Sequence, residues 1–213
     1  MVRNFKNLIY SHIETNTGTY FLVILFFIVG VSGGAFTVKA LGDVQRQELM
    51  NYMKNFFYVL DNNKIESSMV LKQSIMNNFQ TIILMWFLGI TIIGIPFILI
   101  LVLIRGLVVG FTISFIISEL GLKGIVFSAV SLLPQNLIII PSIIIVAVLG
   151  ISFGKTFVQN KFLKYNHNKY SPIKKIIAYS SLVCFIFFVT LFGCIIEAYV
   201  SPVLMGLLTN YII

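Results

Sequence analysis

Residues 73–118 form a stretch of 46 residues with a single charge, the guanidinium of Arg105. As one helix the stretch would reach about 69 Å at about 1.5 Å per residue, whereas the hydrocarbon core of a bilayer is about 30 Å thick. It therefore has to fold back within a membrane, and it takes Arg105 with it. A cation at that depth is costly, so we expect it to be buried against protein or drawn toward an interface. The chain is predicted to be an integral membrane protein.

The composition indicates the same class. Hydrophobic residues make up 58% of the 213 residues and charged residues 10%, which lies outside the range of soluble globular domains. The net charge of +8 comes from basic residues in short segments beside apolar runs. That pattern orients membrane proteins, so we expect no nucleic-acid partner. The prediction is an all-α, polytopic helix bundle of about five spans, surrounded by membrane lipid, that forms one domain over residues 1–213.

Five apolar runs are candidate spans. They are residues 20–38, 79–94, 96–118, 124–154 and 176–197. Gly94 and Pro96 favour a turn between the second and third spans. The competing interpretation is one long helix that turns at Arg105, but the piece that follows would have only 13 residues, too few to cross. We therefore prefer the turn at residues 94–96.

The loops predict an orientation. Residues 155–175 contain six lysines and no acid, whereas residues 39–72 contain five basic and four acidic residues. With five spans these two loops lie on opposite sides of the membrane. By the positive-inside rule the lysine-rich loop and the N-terminus are predicted to be cytoplasmic, and the loop 39–72 and the C-terminus extracytoplasmic.

The extracytoplasmic loop has a helical pattern of its own. Apolar residues recur at spacings of three and four between residues 43 and 60, which predicts an amphipathic helix. A second helix is predicted to begin near Ser67. The amphipathic helix either lies on the membrane or caps the bundle, or it binds a partner. Its candidate partner-binding residues are Leu49, Met53, Phe56, Phe57 and Leu60.

The sequence shows no familiar catalytic pattern. His12 and His167 lie in polar segments, and there is no HExxH motif, Cys/His cluster or phosphate-binding glycine loop. Cys184 and Cys194 are about 15 Å apart along one predicted helix, too far to bond to each other. We predict a protein that is not an enzyme and that uses no metal or cofactor.

The fourth span carries the most unusual polar feature, Pro134-Gln135-Asn136 followed by Pro141. The prolines predict a kink that frees backbone carbonyls. Two interpretations remain open. The preferred one is that the amides lock the helix to its neighbours. The alternative is a substrate or ion site in a broken helix, as in a transporter or channel subunit.

Two further patterns concern helix contacts. Arg105 and Glu197 are predicted to lie at different depths, so we expect the guanidinium to reach toward the cytoplasmic side or to carbonyls freed by the prolines. GxxxG spacing allows close helix approach, either within the bundle or between copies in a homo-oligomer. The pairs are Gly30/Gly34, Gly106/Gly110 and Gly150/Gly154.

Three segments together resemble a known family. They are residues 85–90 leading to 94–96 and 105–111, residues 132–137 with Pro141, and residues 197–204. In this order they resemble the stage II sporulation protein M family of endospore-forming bacteria. The resemblance implies a mother-cell and septal membrane protein required for engulfment of the forespore. It would act as a scaffold for two peptidoglycan-cleaving partners, stage II sporulation proteins D and P.

The resemblance implies no active site. The residues that it carries over are structural determinants of helix packing. They are Gly94, Pro96, Arg105, Gly106, Gly110, Pro134, Gln135, Asn136, Pro141, Glu197, Ser201 and Pro202.

Overall fold

The computed structural model describes residues 2–61, 66–91, 93–162 and 172–212. Every regular element within these ranges is a helix, which confirms the predicted all-α class. The elements are α1 (Val2–Lys39), α2 (Asp43–Asp61), α3 (Ser67–Ile90), α4 (Gly94–Leu120), α5 (Leu122–Phe162), α6 (Pro172–Ile195), a π-helical turn (Ile196–Val200) and α7 (Ser201–Ile212). The amphipathic helix predicted in the first long loop is α2.

Four helical stretches are long and apolar enough to cross a membrane. They are Glu14–Lys39, Gly94–Leu120, Leu122–Thr156 and Ile173–Leu208. The second predicted span corresponds to α3, which is not one of the four because its first half is polar. It nevertheless packs inside the bundle along its length, because hydrogen bonds join it to other helices at Ser74 and at Trp86. Ser74 bonds to Glu197 at 2.5 Å and Trp86 bonds to Ser180 at 3.1 Å, so α3 runs antiparallel to α6.

The α3–α4 connection lies beside the predicted turn. Helix α3 ends at Ile90 and α4 begins at Gly94. A side chain at position 94 would overlap the carbonyl of Leu88, so the close approach here requires glycine. Arg105 lies well inside α4, and the alternative turn at that residue is not formed.

Helices α1 and α4 pack against each other through glycine. A methyl group on Gly34 would collide with the backbone of Leu107, and one on Gly110 would collide with Val31. Gly30 lies against Leu103 of α4, and Gly34 lies against Leu107, one turn further along both helices. The two helices are therefore parallel. These two predicted glycine pairs therefore pack within one chain, and so does Gly150/Gly154, which lies against the backbone of α3 at Met85 and Gly89. Close backbone contact of this kind favours helix association.

Helix α5 lies at the centre and contacts α1, α3, α4, α6 and α7. It is helical through Pro134 and Pro141, so the broken helix of the transporter interpretation is not formed there. Its Val146 is fully buried together with Met85 of α3 and Ile98 of α4. The bundle interior is thus filled with side chains.

The chain continues as helix beyond the predicted end of the last span. The π-helical turn joins α6 to α7, and Ile173–Leu208 forms one long apolar stretch. Of the lysine-rich loop, residues 163–171, with His167, lie outside the described residues. Large apolar side chains such as Phe21, Leu137 and Phe192 are exposed, as expected for a surface that faces lipid.

Candidate functional site

Arg105 lies halfway through the bundle. The next residue, Gly106, packs on Gly30 of α1. Gly30 is eleven residues after Thr19 and nine residues before Lys39. Thr19 and Lys39 flank the predicted first span, residues 20–38. At about 1.5 Å per residue they lie about 16 Å and 14 Å from Gly30 along the helix axis. The α-carbon of Arg105 is therefore near the centre of a hydrocarbon core about 30 Å thick.

A relay of four polar side chains starts at this residue. The Nη2 of Arg105 donates to the Oδ1 of Asn78 at 2.7 Å. The Nδ2 of Asn78 donates to the backbone oxygen of Ser74 at 3.0 Å, and the Ser74 hydroxyl donates to a carboxylate oxygen of Glu197 at 2.5 Å. We call Arg105, Asn78, Ser74 and Glu197 the polar relay. It connects α4, α3 and the turn after α6.

The relay has a direction. Ser74 is one helical turn closer than Asn78 to the end of the bundle where α2 lies, which we call the α2 end. The polar relay thus extends from Asn78 toward the α2 end, and the Arg105 side chain bonds to Asn78 rather than to a carbonyl freed by the prolines. Within the described residues, Arg105 and Glu197 form no direct ion pair. Their charges interact electrostatically across the relay.

Cys194 also joins this network. Its sulfur accepts a weak hydrogen bond from the Nδ2 of Asn78 at 3.5 Å, and it is fully buried. Asn78 is itself 1% exposed, so it is held between three helices. Sequence reasoning singled out neither Ser74 nor Asn78, because both lie in the polar half of α3, before the apolar run. The signal available in the sequence was the asparagine pair Asn77-Asn78, placed just before an apolar run that leads to a lone cation.

A groove opens beside the relay, between α3 and α4. Its volume is about 370 Å³. The lining residues are Asn77, Gln80, Thr81, Leu84, Leu101 and Arg105. We call it the Arg105 groove. It brings the Arg105 cation together with two side-chain amides, one hydroxyl and two leucines. Gln135 and Asn136 do not line it, so the structure does not join them to Arg105 in one path.

Gln135 and Asn136 have separate partners. The Oε1 of Gln135 accepts a short hydrogen bond from the Ser201 hydroxyl, and both side chains are buried. This bond links α5 to the start of α7, where Pro202 is the second residue. The Nδ2 of Asn136 donates to the Leu132 carbonyl of its own helix at 2.8 Å. The first amide can hold two helices together, and the second only caps a carbonyl within α5.

Two buried hydroxyls on the same face of α5 form no hydrogen bond among the described residues. They belong to Ser128 and Ser131. A buried polar atom without a partner costs about 1–3 kcal/mol. These serines therefore reduce stability locally, in contrast to the satisfied pair Gln135–Ser201.

Helix α2 is held against the α2 end of the bundle. The Nε of Arg46 donates to Glu119 of α4 at 2.7 Å, and Glu119 is 8% exposed. Met53 packs against Phe127 of α5. Leu49 is half-buried. The side chains of the other candidate partner-binding residues, Phe56, Phe57 and Leu60, lie outside the described residues.

The remaining chemistry is sparse in the part of the chain that the structure describes. No group of three or more His, Cys, Asp and Glu residues is placed to hold a metal ion there. Cys184 and Cys194 are both free, the first exposed and the second buried. What the geometry offers is a polar relay, a groove and a docked amphipathic helix.

The family model described as stage II sporulation protein M matches residues 23–202. The match covers most of the chain and includes every residue of the polar relay. No match was found among curated proteins or among solved structures.

Proposed function

The chain belongs to the stage II sporulation protein M family, and from this premise we propose that it is a membrane scaffold for forespore engulfment. Membership makes it a sporulation-related membrane protein. The proposal adds that it sits in the mother-cell and septal membrane and holds two peptidoglycan-degrading partners, stage II sporulation proteins D and P. Enzymes that cut the cell wall act outside the membrane, so a scaffold must present a surface on that side.

The observation that carries the proposal is the way α2 is attached. Arg46 and Met53 fasten the helix to the bundle, while Tyr52 and Tyr58 are 73% and 67% exposed. A fixed helix loses little conformational freedom when a partner binds. Tyrosine side chains are also enriched among the residues that dominate binding energies. The predicted orientation places α2 on the extracytoplasmic side.

The test is co-purification of the partners from sporulating cells. The full-length protein carries an epitope tag, and proteins D and P are measured by quantitative mass spectrometry. We expect both to be recovered with the wild-type protein, and we expect Tyr52→Asp combined with Tyr58→Asp to lower their recovery. Lys54→Asp is the matched control, because it adds an acid at an exposed position of the same helix. Absence of D and P from the wild-type sample would refute the scaffold function.

A further inference from the structure

We propose that the Arg105 groove binds a membrane-spanning helix of another protein that carries an aspartate or glutamate in its span. The inference rests on the scaffold function and names the chemistry of one partner contact within the membrane. Three observations carry it: unused donors, the depth of the groove, and the absence of a suitable acid on this chain.

The guanidinium has donors to spare. It carries five N–H groups, and within the described residues its one side-chain hydrogen bond is to Asn78. Gln80 lines the same groove and is exposed. Hydrocarbon supplies no water to these groups, so a polar group left unpaired at this depth is costly. An occupant that brings oxygen acceptors satisfies the remaining donors.

The dimensions of the groove match a helix surface. Asn77 and Leu84 lie about 10 Å apart along α3 at about 1.5 Å per residue, roughly two turns. The end near Asn77 is polar, and the end near Leu84 and Leu101 is apolar. A helix that carries one polar side chain among apolar ones matches the groove, because its polar side chain can lie at the polar end and its apolar side chains at the apolar end. Hydrogen bonds between such helices contribute to association in membranes.

A lipid headgroup fits the groove less well. Phosphates lie outside the hydrocarbon core, whereas the α-carbon of Arg105 is near its centre. Headgroup sites gather several basic residues, and the lining of this groove holds one arginine and no lysine.

A second copy of this chain does not supply the acid. Residues 15–38, 73–118, 124–154 and 176–196 contain no acidic residue. Glu197 is bonded to Ser74 of its own chain, and Glu119 is paired with Arg46. The complementary carboxylate therefore belongs to a different protein.

The test places a photo-crosslinking amino acid at position 84 of the full-length protein in sporulating cells. Position 182 on α6 is the matched control, since Leu84 and Leu182 are similarly exposed, 44% and 49%. We expect position 84 to capture a membrane-spanning peptide with Asp or Glu inside the span, and position 182 to capture far less of it. Arg105→Gln should lower the yield about 3- to 30-fold, the range given by one interhelical hydrogen bond.

A second variant keeps the test decisive if Arg105→Gln fails to accumulate. Leu101→Trp fills the groove without removing a polar group, and we expect it to lower the yield at position 84 as well. Adducts with lipid alone, with a second copy, or with a span that lacks an acid overturn the inference. If proteins D and P still co-purify while position 84 captures only lipid, the groove assignment falls and the scaffold function stands. If neither co-purifies with the wild-type protein, the scaffold function itself fails.

Discussion

The guanidinium of Arg105 and the side-chain amide of Asn78 form a 2.7 Å hydrogen bond between two antiparallel helices near the centre of the membrane. Asn78 in turn donates a hydrogen bond to Ser74, and the Ser74 hydroxyl donates one to Glu197. This arrangement explains how α4 keeps a cation in a segment, residues 94–118, that is otherwise uncharged. The polar half of α3 supplies the acceptor that lipid lacks.

Removal of the Asn78 amide should destabilise the bundle. Asn78→Leu leaves the guanidinium without its acceptor, and hydrogen bonds to charged groups contribute about 1.5–3 kcal/mol. We expect a clearly lower melting temperature in detergent micelles, measured by the loss of monodisperse protein on heating. Asn136→Leu is the matched control, because that amide bonds only to Leu132 of its own helix. Equal melting temperatures for the two variants would contradict the relay.

The α1–α4 contact predicts a contrast between two adjacent glycines. Gly34→Ala places a methyl group against the backbone of Leu107, and overpacking of this kind costs about 1–3 kcal/mol. Gly33→Ala meets nothing within 4 Å and gains up to about 1 kcal/mol of helix propensity. Thermal melting of the two purified variants should therefore shift in opposite directions. A destabilised Gly33→Ala or an unaffected Gly34→Ala would argue against this packing.

Two buried serines, Ser201 of α7 and Ser131 of α5, should respond differently to replacement by alanine. Ser201→Ala leaves the buried amide of Gln135 without its donor, at a cost of about 1–3 kcal/mol. Ser131→Ala removes an oxygen that has no partner among the described residues, so it should be neutral or stabilising. Melting curves of both variants provide the measurement. A loss of stability in Ser131→Ala equal to that in Ser201→Ala would show that Ser131 is bonded after all.

The attachment of α2 predicts a charge-swap rescue. Arg46→Glu sets two acids against each other at Glu119 and should loosen α2, which lowers the recovery of proteins D and P in the co-purification assay. Adding Glu119→Arg restores the opposite charges, and recovery should return toward the wild-type level. The free-energy effect is about 1 kcal/mol, because Arg46 is half exposed. If the double variant binds no better than Arg46→Glu alone, the ion pair does not position α2.

Much of the architecture followed from the sequence. Apolar runs longer than a bilayer is thick, interrupted by Gly94 and Pro96, predict the helices and the turn between α3 and α4. The pattern of threes and fours predicts α2. These features are local, since each depends on the length or periodicity of one segment.

The site was less accessible to sequence reasoning because its partners are far apart in the chain. Asn78 and Arg105 meet only after α3 and α4 pair, and Ser74 meets Glu197 across 123 positions. Spacing along one helix carries no information on such pairs. The glycine pairs show the same limit, because GxxxG predicts close approach but not which helix approaches.

The side of the membrane on which each loop lies tests the account most directly. Cys184 and Cys194, which are free thiols, are first replaced by alanine in the full-length protein. Single cysteines then replace Asn62, Asn166 and Ile213 in turn, and a membrane-impermeant maleimide is added to protoplasts. If α3 crosses the membrane despite its polar half, positions 62 and 213 label in intact protoplasts and position 166 labels only after permeabilisation. Labelling of positions 62 and 166 in intact protoplasts, with position 213 protected, would mean four crossings and would contradict the relay and the groove together.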